Sequence, residues 1–217
     1  MAARQGAWMT EDRHGNDQQR AGDLRRLADL FELAGTYFLA GPSEAVDRLL
    51  ADEEWVASLV GAGLLEKDPG GKAATPDEHA REFEALLRIP DRERAVPPQE
   101  AAHVPKPDEP ERTPVLVCRS LYERAGYEAA PYADLPADHV GHQLRFLAAL
   151  MRKEADCLER GDDAAAANVR GWVVGFAGDH TSWWETFGAK LAERAATRPL
   201  RVMAALVGRL GSVPDPA

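Results

Sequence analysis

The sequence has little cysteine, no long apolar run and no excess of basic residues, and each deficit excludes a class of protein. Its 217 residues include two cysteines, Cys118 and Cys157, which lack the spacing of a cysteine zinc site and are too few for a disulfide framework. Acidic side chains outnumber basic ones by 36 to 26, which gives a formal net charge of -10. Such a surface repels a nucleic-acid backbone, so we expect no nucleic-acid partner.

The first part of the chain also lacks a targeting signal. Its first 20 residues, MAARQGAWMTEDRHGNDQQR, have no apolar core of the kind that directs secretion or anchors a chain in a membrane. Arg25 and Arg26 precede the stretch LADLFELAG, but Asp29 and Glu32 interrupt its apolar run, so we interpret the stretch as an amphipathic helix. The sequence therefore predicts a cytoplasmic protein without stable membrane insertion and with a disordered tail over residues 1–20.

Patterns typical of β-strands are almost absent, whereas helical periodicity runs through most of the chain. From Asp23 onwards, apolar residues recur at three- and four-residue spacing. Residues 75–78 have the pattern of a capping box with proline at the first helical position, and residues 114–126 begin on a proline and end on a glycine. We therefore predict an all-α fold, a single bundle of roughly eight to ten helices over residues 21–212.

A proline-rich segment divides this bundle into two halves. Residues 89–114 contain seven prolines and are predicted to form a long connecting loop. A connection of this length is uncommon inside a compact domain, and is usually functional or disordered. Such a loop is compatible with a monomer or with a domain-swapped dimer.

The stretch PADHVGHQL contains the best candidates for chemistry, Asp138, His139 and His142. Three interpretations of the stretch are open. Asp138 is suited to be the N-cap of the following helix, the Asp-His pair could form the rim of a binding groove, or Asp138 and His142 could contribute to a metal site. Sequence motifs of hydrolases, phosphate-binding loops and nucleophile elbows are absent, which argues against an enzyme and predicts no cofactor.

The second half resembles the TorD/DmsD/NarJ family of redox-enzyme maturation chaperones. The resemblance rests on a Tyr-x-x-x-Gly element, a Pro-x-Asp-His helix start and a Phe-x-x-x-His element followed by aromatic residues. These elements correspond to Tyr122 and Gly126, to Pro136, Asp138, His139, Val140, Leu144 and Phe146, and to Phe176, His180, Trp183, Trp184 and Phe187. The first half adds LADLFELAGTYF and VPPQEA, although Gln99 and Ala101 depart from the aromatic residue and serine usual around the second element.

The resemblance implies a TorD-like helical chaperone of molybdoenzyme assembly. Such a protein binds the apo catalytic subunit of a molybdenum-containing oxidoreductase through its twin-arginine signal peptide, and assists cofactor insertion, assembly and export. The residues that it implies for client-peptide binding are Asp138, His139, Tyr122, Tyr132, Asp134, His142, His180 and Trp184. One alternative is a NarJ-type assembly chaperone for a leaderless subunit, and another is a metal-dependent helical hydrolase that uses Asp138, His142 and His180.

Overall fold

The structure is a computed structural model that describes residues 2–89, 93–106, 109 and 112–212, with side chains from residue 16 onwards. Within these residues the chain folds into nine α-helices and forms no β-strand, which confirms the predicted all-α bundle. A π-helical turn, Glu84–Arg88, extends the fourth helix, and a 3-10 turn, Glu100–Ala102, precedes the fifth. The helices are α1 (Ala2–Ala40), α2 (Glu44–Ala51), α3 (Glu53–Gly61), α4 (Pro76–Phe83), α5 (Pro114–Ala125), α6 (Val140–Glu159), α7 (Asp163–His180), α8 (Trp184–Arg194) and α9 (Arg198–Leu210).

Two helices begin where the sequence predicted. At the start of α4, the Thr75 hydroxyl accepts a hydrogen bond from the backbone N–H of Glu78, whose carboxylate accepts one from the Thr75 N–H at 2.9 Å. This reciprocal capping box satisfies two amide groups that an uncapped helix would leave without partners. The fifth helix begins at Pro114 and ends before Gly126, which has a φ of 68°, a left-handed conformation that favours glycine.

The first helix is longer than the sequence predicted. It begins at Ala2, so residues 2–20 of the predicted tail lie within α1, while residue 1 lies outside the described residues. The last of them, Arg20, forms an ion pair with the buried Glu154 of α6 at 2.9 Å, and the next residue, Ala21, is buried. The apolar periodicity of the sequence begins at Asp23 and therefore does not reveal where the helix starts.

The centre of the bundle is the contact between α1 and α6, which run antiparallel along each other. A Cβ atom on Gly35 would lie 2.9 Å from the carbonyl oxygen of Gly141, and one on Gly141 would lie 2.7 Å from that of Gly35. The two glycines therefore allow the helix backbones to approach more closely than larger residues would permit. An ion pair between Glu32 and Arg145, at 2.8 Å, flanks the crossing. This contact brings together the two halves of the sequence.

The proline-rich connection is anchored to the bundle over the part that the structure describes. The N–H of Val96 donates to the Leu86 carbonyl at 2.7 Å, Pro98 is buried, and the N–H of Glu100 donates to the Asp138 carbonyl at 3.0 Å. Residues 96–100 are therefore held against the bundle, between the turn after α4 and the start of α6. Of the predicted loop, residues 90–92, 107, 108, 110 and 111 lie outside the described residues.

Among the residues that the structure describes, no helix combines the length and the apolar character needed to cross a lipid bilayer.

Candidate functional site

A cleft of about 590 Å³ lies where the end of α1 meets the start of α6. Its remaining walls come from the turn Glu84–Arg88, the described part of the proline-rich connection, and the loop before α6. We call it the Tyr132 cleft. Its apolar surface is formed by Phe38, Leu39, Leu87, Pro98 and Leu135. Five residues from four separate segments thus make one apolar floor, which is suited to bind an apolar segment of another molecule.

Polar groups surround this floor on several sides. They belong to Arg88, Gln99, Tyr132, Asp134 and His139. The Asp134 side chain is exposed, whereas the Arg88 guanidinium already donates to the Glu84 carboxylate at 2.9 Å and to the Leu39 carbonyl at 3.0 Å. The cleft therefore presents an exposed carboxylate that forms no ion pair with the described residues, while its cation is engaged with the protein itself.

His139, rather than Asp138, is the N-cap of α6. Its Nδ1 accepts a hydrogen bond from the N–H of Gly141 at 3.1 Å, so the prediction that Asp138 caps this helix is wrong. Burial is the main reason that the pKa of His139 is lowered to about 3, and the neighbouring His142 adds to the shift. The imidazole is therefore neutral near pH 7, and it adds no positive charge to the cleft.

Asp138 is fully buried behind the cleft and connects two chain segments. One carboxylate oxygen, Oδ2, accepts a hydrogen bond from the N–H of Ala101 at 3.0 Å. The other oxygen, Oδ1, is buried and has no hydrogen-bond partner among the described residues. Burial raises the pKa of this carboxyl group. Asp138 thus attaches the proline-rich connection to the start of α6, and neither oxygen faces the solvent as the binding-rim interpretation expected.

Tyr122 and His142 support the loop that carries Tyr132 and Asp134. The Tyr122 hydroxyl donates to the Ala137 carbonyl at 2.9 Å, and the His142 Nε2–H donates to the Tyr132 carbonyl at 3.0 Å. Both side chains are buried. The loop is therefore held from the protein interior at two points, near its middle and close to the start of α6.

His180 and Trp184 lie deeper, in a network around the buried Glu100. The Trp184 indole N–H donates to Oε1 of Gln143 at 2.9 Å, and Nε2 of Gln143 donates to Oε2 of Glu100 at 2.5 Å. The Nδ1 of His180 lies 3.0 Å from the same carboxylate oxygen. Cys118 completes the group, and burial raises the pKa of its thiol to about 12.

The structure therefore divides the eight residues proposed from the sequence into two sets. Tyr132, Asp134 and His139 line the Tyr132 cleft. The other five are buried, and none of them lines it; they are Asp138, Tyr122, His142, His180 and Trp184. Direct client contact by these five stays a prediction, and their visible contacts are with the walls of the cleft and the core.

Sequence reasoning missed several residues of this region. Leu87 and Arg88 reach the cleft because a π-helical turn extends α4, and no sequence signal marks such a turn. Glu100 lies in the proline-rich segment that was expected to lack regular structure. A single acidic residue between a glutamine and an alanine gives no sign that tertiary contacts will bury it.

The structure does not bring together the metal ligands of the hydrolase that the sequence offered as an alternative. Among the described residues, the group of three His, Cys, Asp or Glu side chains close enough to share a metal ion is Glu100, Cys118 and His180. It contains neither Asp138 nor His142, whose polar atoms contact backbone groups of other segments. The proposed hydrolase ligand set of Asp138, His142 and His180 is therefore wrong.

Comparison with known protein families matches residues 50–188 to the family described as nitrate reductase delta subunit. This range covers more than half of the chain, and it includes the cleft residues from Leu87 to His139 and the whole Glu100 network. Neither the curated proteins nor the solved structures gave a match. The match confirms the resemblance to the TorD/NarJ group, and the chain belongs to the nitrate reductase delta subunit family of molybdoenzyme assembly chaperones.

Proposed function

We propose that the protein is a cytoplasmic chaperone that binds the twin-arginine signal peptide of an apo molybdoenzyme catalytic subunit in the Tyr132 cleft. It holds the subunit during cofactor insertion and assembly, and releases it for export. The observation that carries this proposal is the exposed carboxylate of Asp134 beside an apolar floor and a neutral histidine. A signal peptide offers the complementary chemistry, namely two guanidinium groups and an apolar run.

The apolar floor provides most of the binding free energy in this proposal. An exposed ion pair between Asp134 and a client arginine contributes about 1 kcal/mol at most. Micromolar affinity requires about 8 kcal/mol, so burial of the client's apolar side chains against Phe38, Leu39, Leu87 and Leu135 must supply the larger part. The carboxylate then contributes chiefly to specificity, because it accepts two parallel hydrogen bonds from a guanidinium group.

The buried residues behind the cleft contribute by positioning its walls. His142 and Tyr122 fix the loop that carries Asp134, while Asp138 fixes the segment that carries Gln99. A wall that is ordered before the client arrives loses less conformational entropy on binding than a mobile one. This positioning role explains why the residues that carry the family resemblance cluster around the cleft although most of them do not line it.

A second candidate function follows from the family description itself. A family named for a nitrate reductase subunit favours a client of the nitrate reductase type. The alternative that the resemblance implies is a catalytic subunit of this kind without a leader. In that case the Tyr132 cleft binds another apolar segment of the client, and an arginine pair is not required.

We expect Asp134→Asn to weaken binding of a fluorescently labelled twin-arginine leader peptide by about three- to fivefold, the effect of losing one exposed ion pair. The change removes the charge and keeps the shape of the side chain, and fluorescence anisotropy gives the dissociation constant. Asp179→Asn is the matched control, because Asp179 is also an exposed aspartate but lies on α7, away from the Tyr132 cleft.

The same titration with both peptide arginines replaced by glutamine separates the two candidates. If the signal peptide is the client, this peptide binds wild type and Asp134→Asn with the same reduced affinity. If the client has no leader, wild type binds both peptides equally, and the role of Asp134 in arginine recognition is contradicted.

A further inference from the structure

Three potential metal ligands from separate elements meet beneath the Tyr132 cleft. Glu100 comes from the 3-10 turn, Cys118 from α5 and His180 from the last turn of α7, and all three side chains are buried. The Cys118 Sγ lies 3.8 Å from His180 Nδ1 and 4.0 Å from Glu100 Oε2, while these last two atoms are 3.0 Å apart. The residues are 18 and 62 positions apart along the chain, so the fold itself brings them together.

The triangle formed by these atoms has the size of a metal coordination face. The point equidistant from Sγ, Nδ1 and Oε2 lies about 2.1 Å from each, within the range of about 2.0 to 2.3 Å found for zinc with nitrogen, oxygen and sulfur ligands. By contrast, the two contacts of the thiol are long for hydrogen bonds. An ion slightly off the plane of the three atoms lies about 2.1 to 2.3 Å from each, and this position leaves a fourth coordination site open.

The charges around this point also favour a cation. Glu100 forms its ion pair with His180 and with no lysine or arginine of the described chain. Asp138, a second buried carboxyl group, contacts the same segment and has an oxygen without a hydrogen-bond partner among the described residues. Buried carboxylates are costly unless nearby positive charge compensates them. A divalent ion supplies that charge at the centre of the group.

The surrounding side chains have the arrangement of an outer coordination sphere. Gln143 Nε2 donates to Glu100 Oε2 and lies 3.6 Å from Cys118 Sγ, so the amide group contacts both the carboxylate and the sulfur. The indole N–H of Trp184 holds the amide in this orientation by donating to Gln143 Oε1. Groups that orient ligands in this way affect metal affinity by about 10- to 100-fold at known sites.

We propose that Glu100, Cys118 and His180 form a buried structural site for a divalent transition metal ion of the zinc class. A thiolate, an imidazole and a carboxylate together suit zinc, and cobalt(II) adopts the same tetrahedral geometry. Binding deprotonates the thiol and releases its proton to solvent. Three protein ligands leave one tetrahedral position for a water molecule, and burial keeps that position away from a substrate.

The ion ties the wall of the Tyr132 cleft to the core. Glu100 is followed by Ala101, whose N–H binds Asp138, and preceded by Gln99, which lines the cleft. Through the ion, the turn Glu100–Ala102 is joined to α5 and α7. The site does not depend on which client the cleft binds, so its test is separate from that of the proposed function.

The test uses the full-length protein, stripped of metal with a chelator and titrated with zinc chloride or cobalt chloride alone. We expect one metal ion per chain by elemental analysis, a higher melting temperature with zinc, and a thiolate-to-cobalt charge-transfer band in the near ultraviolet. Cys157→Ser is the matched control, because Cys157 is the other buried cysteine and lies outside the group. It should keep the band, whereas Cys118→Ser should lose it and bind zinc at least tenfold more weakly.

The control also covers the case in which Cys118→Ser fails to fold. In Cys157→Ser, Cys118 is the remaining cysteine of the sequence, so a charge-transfer band in that variant assigns the thiolate ligand by itself. The proposal is overturned if the folded wild-type protein takes up no stoichiometric metal, or if a folded Cys118→Ser variant keeps the cobalt band.

Discussion

Replacing Trp184 with alanine is expected to lower the free energy of unfolding by about 3–5 kcal/mol, the usual cost of removing a large buried aromatic side chain. Trp184 is fully buried, and the centroid of its ring lies 6.2 Å from that of Phe31. Its indole N–H donates a hydrogen bond to Oε1 of Gln143. Because small domains have total stabilities of about 5–15 kcal/mol, the loss should be evident in urea unfolding followed by circular dichroism.

A milder change separates packing from hydrogen bonding at this position. Trp184→Phe keeps an aromatic ring but leaves the Gln143 carbonyl oxygen without its donor, so we expect a loss of about 1–3 kcal/mol. Trp172→Phe is the control, because Trp172 is only half-buried and its ring stacks on the Arg124 guanidinium at the surface. If Trp184→Ala unfolds like wild type but fails to bind client peptide, Trp184 is a contact residue after all, as the sequence suggested.

Replacing His139 with asparagine is expected to make the protein more resistant to acid. Burial holds the pKa of His139 at about 3, against about 6.5 in the unfolded chain, so below pH 6.5 the unfolded state binds a proton that the folded state does not. The contribution of this group to the free energy of unfolding is therefore fully present above pH 6.5, and it is lost as the pH falls towards the pKa of the folded state. At pH 5 the wild type should have lost about 2 kcal/mol through this group.

Asparagine is the informative replacement because its side-chain oxygen can accept the hydrogen bond from the Gly141 N–H and so preserve the N-cap. The measurement is the free energy of urea unfolding of both proteins from pH 8 to pH 5. The difference between the two proteins should change by about 2 kcal/mol over that range, with the values at pH 8 as the reference. If the free energies of unfolding of the two proteins changed with pH in parallel, His139 would be protonated in the folded state, contrary to its burial.

Helix positions could be predicted from the sequence wherever local chemistry determines them. The capping box at Thr75 and the glycine stop at Gly126 satisfy backbone groups with nearby residues, and both occur in the structure as predicted. The N-cap of α6 was misassigned because a tertiary contact competes for the side chain. Asp138 is occupied by the N–H of Ala101, 37 residues away, so the helix begins one residue later with His139 as its cap.

The site was predicted less well than the fold, also for a physical reason. The resemblance pointed to motif residues of the second half. Their part in client binding stays a prediction, and the positions of their side chains depend on segments that pack against them. A π-helical turn positions Leu87 and Arg88 in the Tyr132 cleft, and the anchored part of the proline-rich segment positions Gln99 there. Burial of Asp138, His142 and His180 follows from this packing, which sequence patterns do not encode.

The burial of most motif residues changes the account of how the protein recognises its client. In the sequence, the Asp-His pair suggested a charged rim that holds positive groups. In the structure, His139 is neutral and Asp138 is buried, so the carboxylate offered by the Tyr132 cleft is that of Asp134. In the proposed function, recognition therefore depends on an apolar floor with one accessible acid, and the buried polar groups determine the shape of the cleft.

The most direct test of this account is to locate a bound client peptide on the protein. A twin-arginine leader peptide with a photoreactive residue in its apolar run would be cross-linked to the protein, and the attached residues would be identified by mass spectrometry. We predict attachment at residues 38–40, 87–88, 98–99, 132, 134, 135 and 139, and its loss when unlabelled peptide is added in excess. Saturable attachment on the outer face of α7 around Trp172, with none in the Tyr132 cleft, would contradict the account.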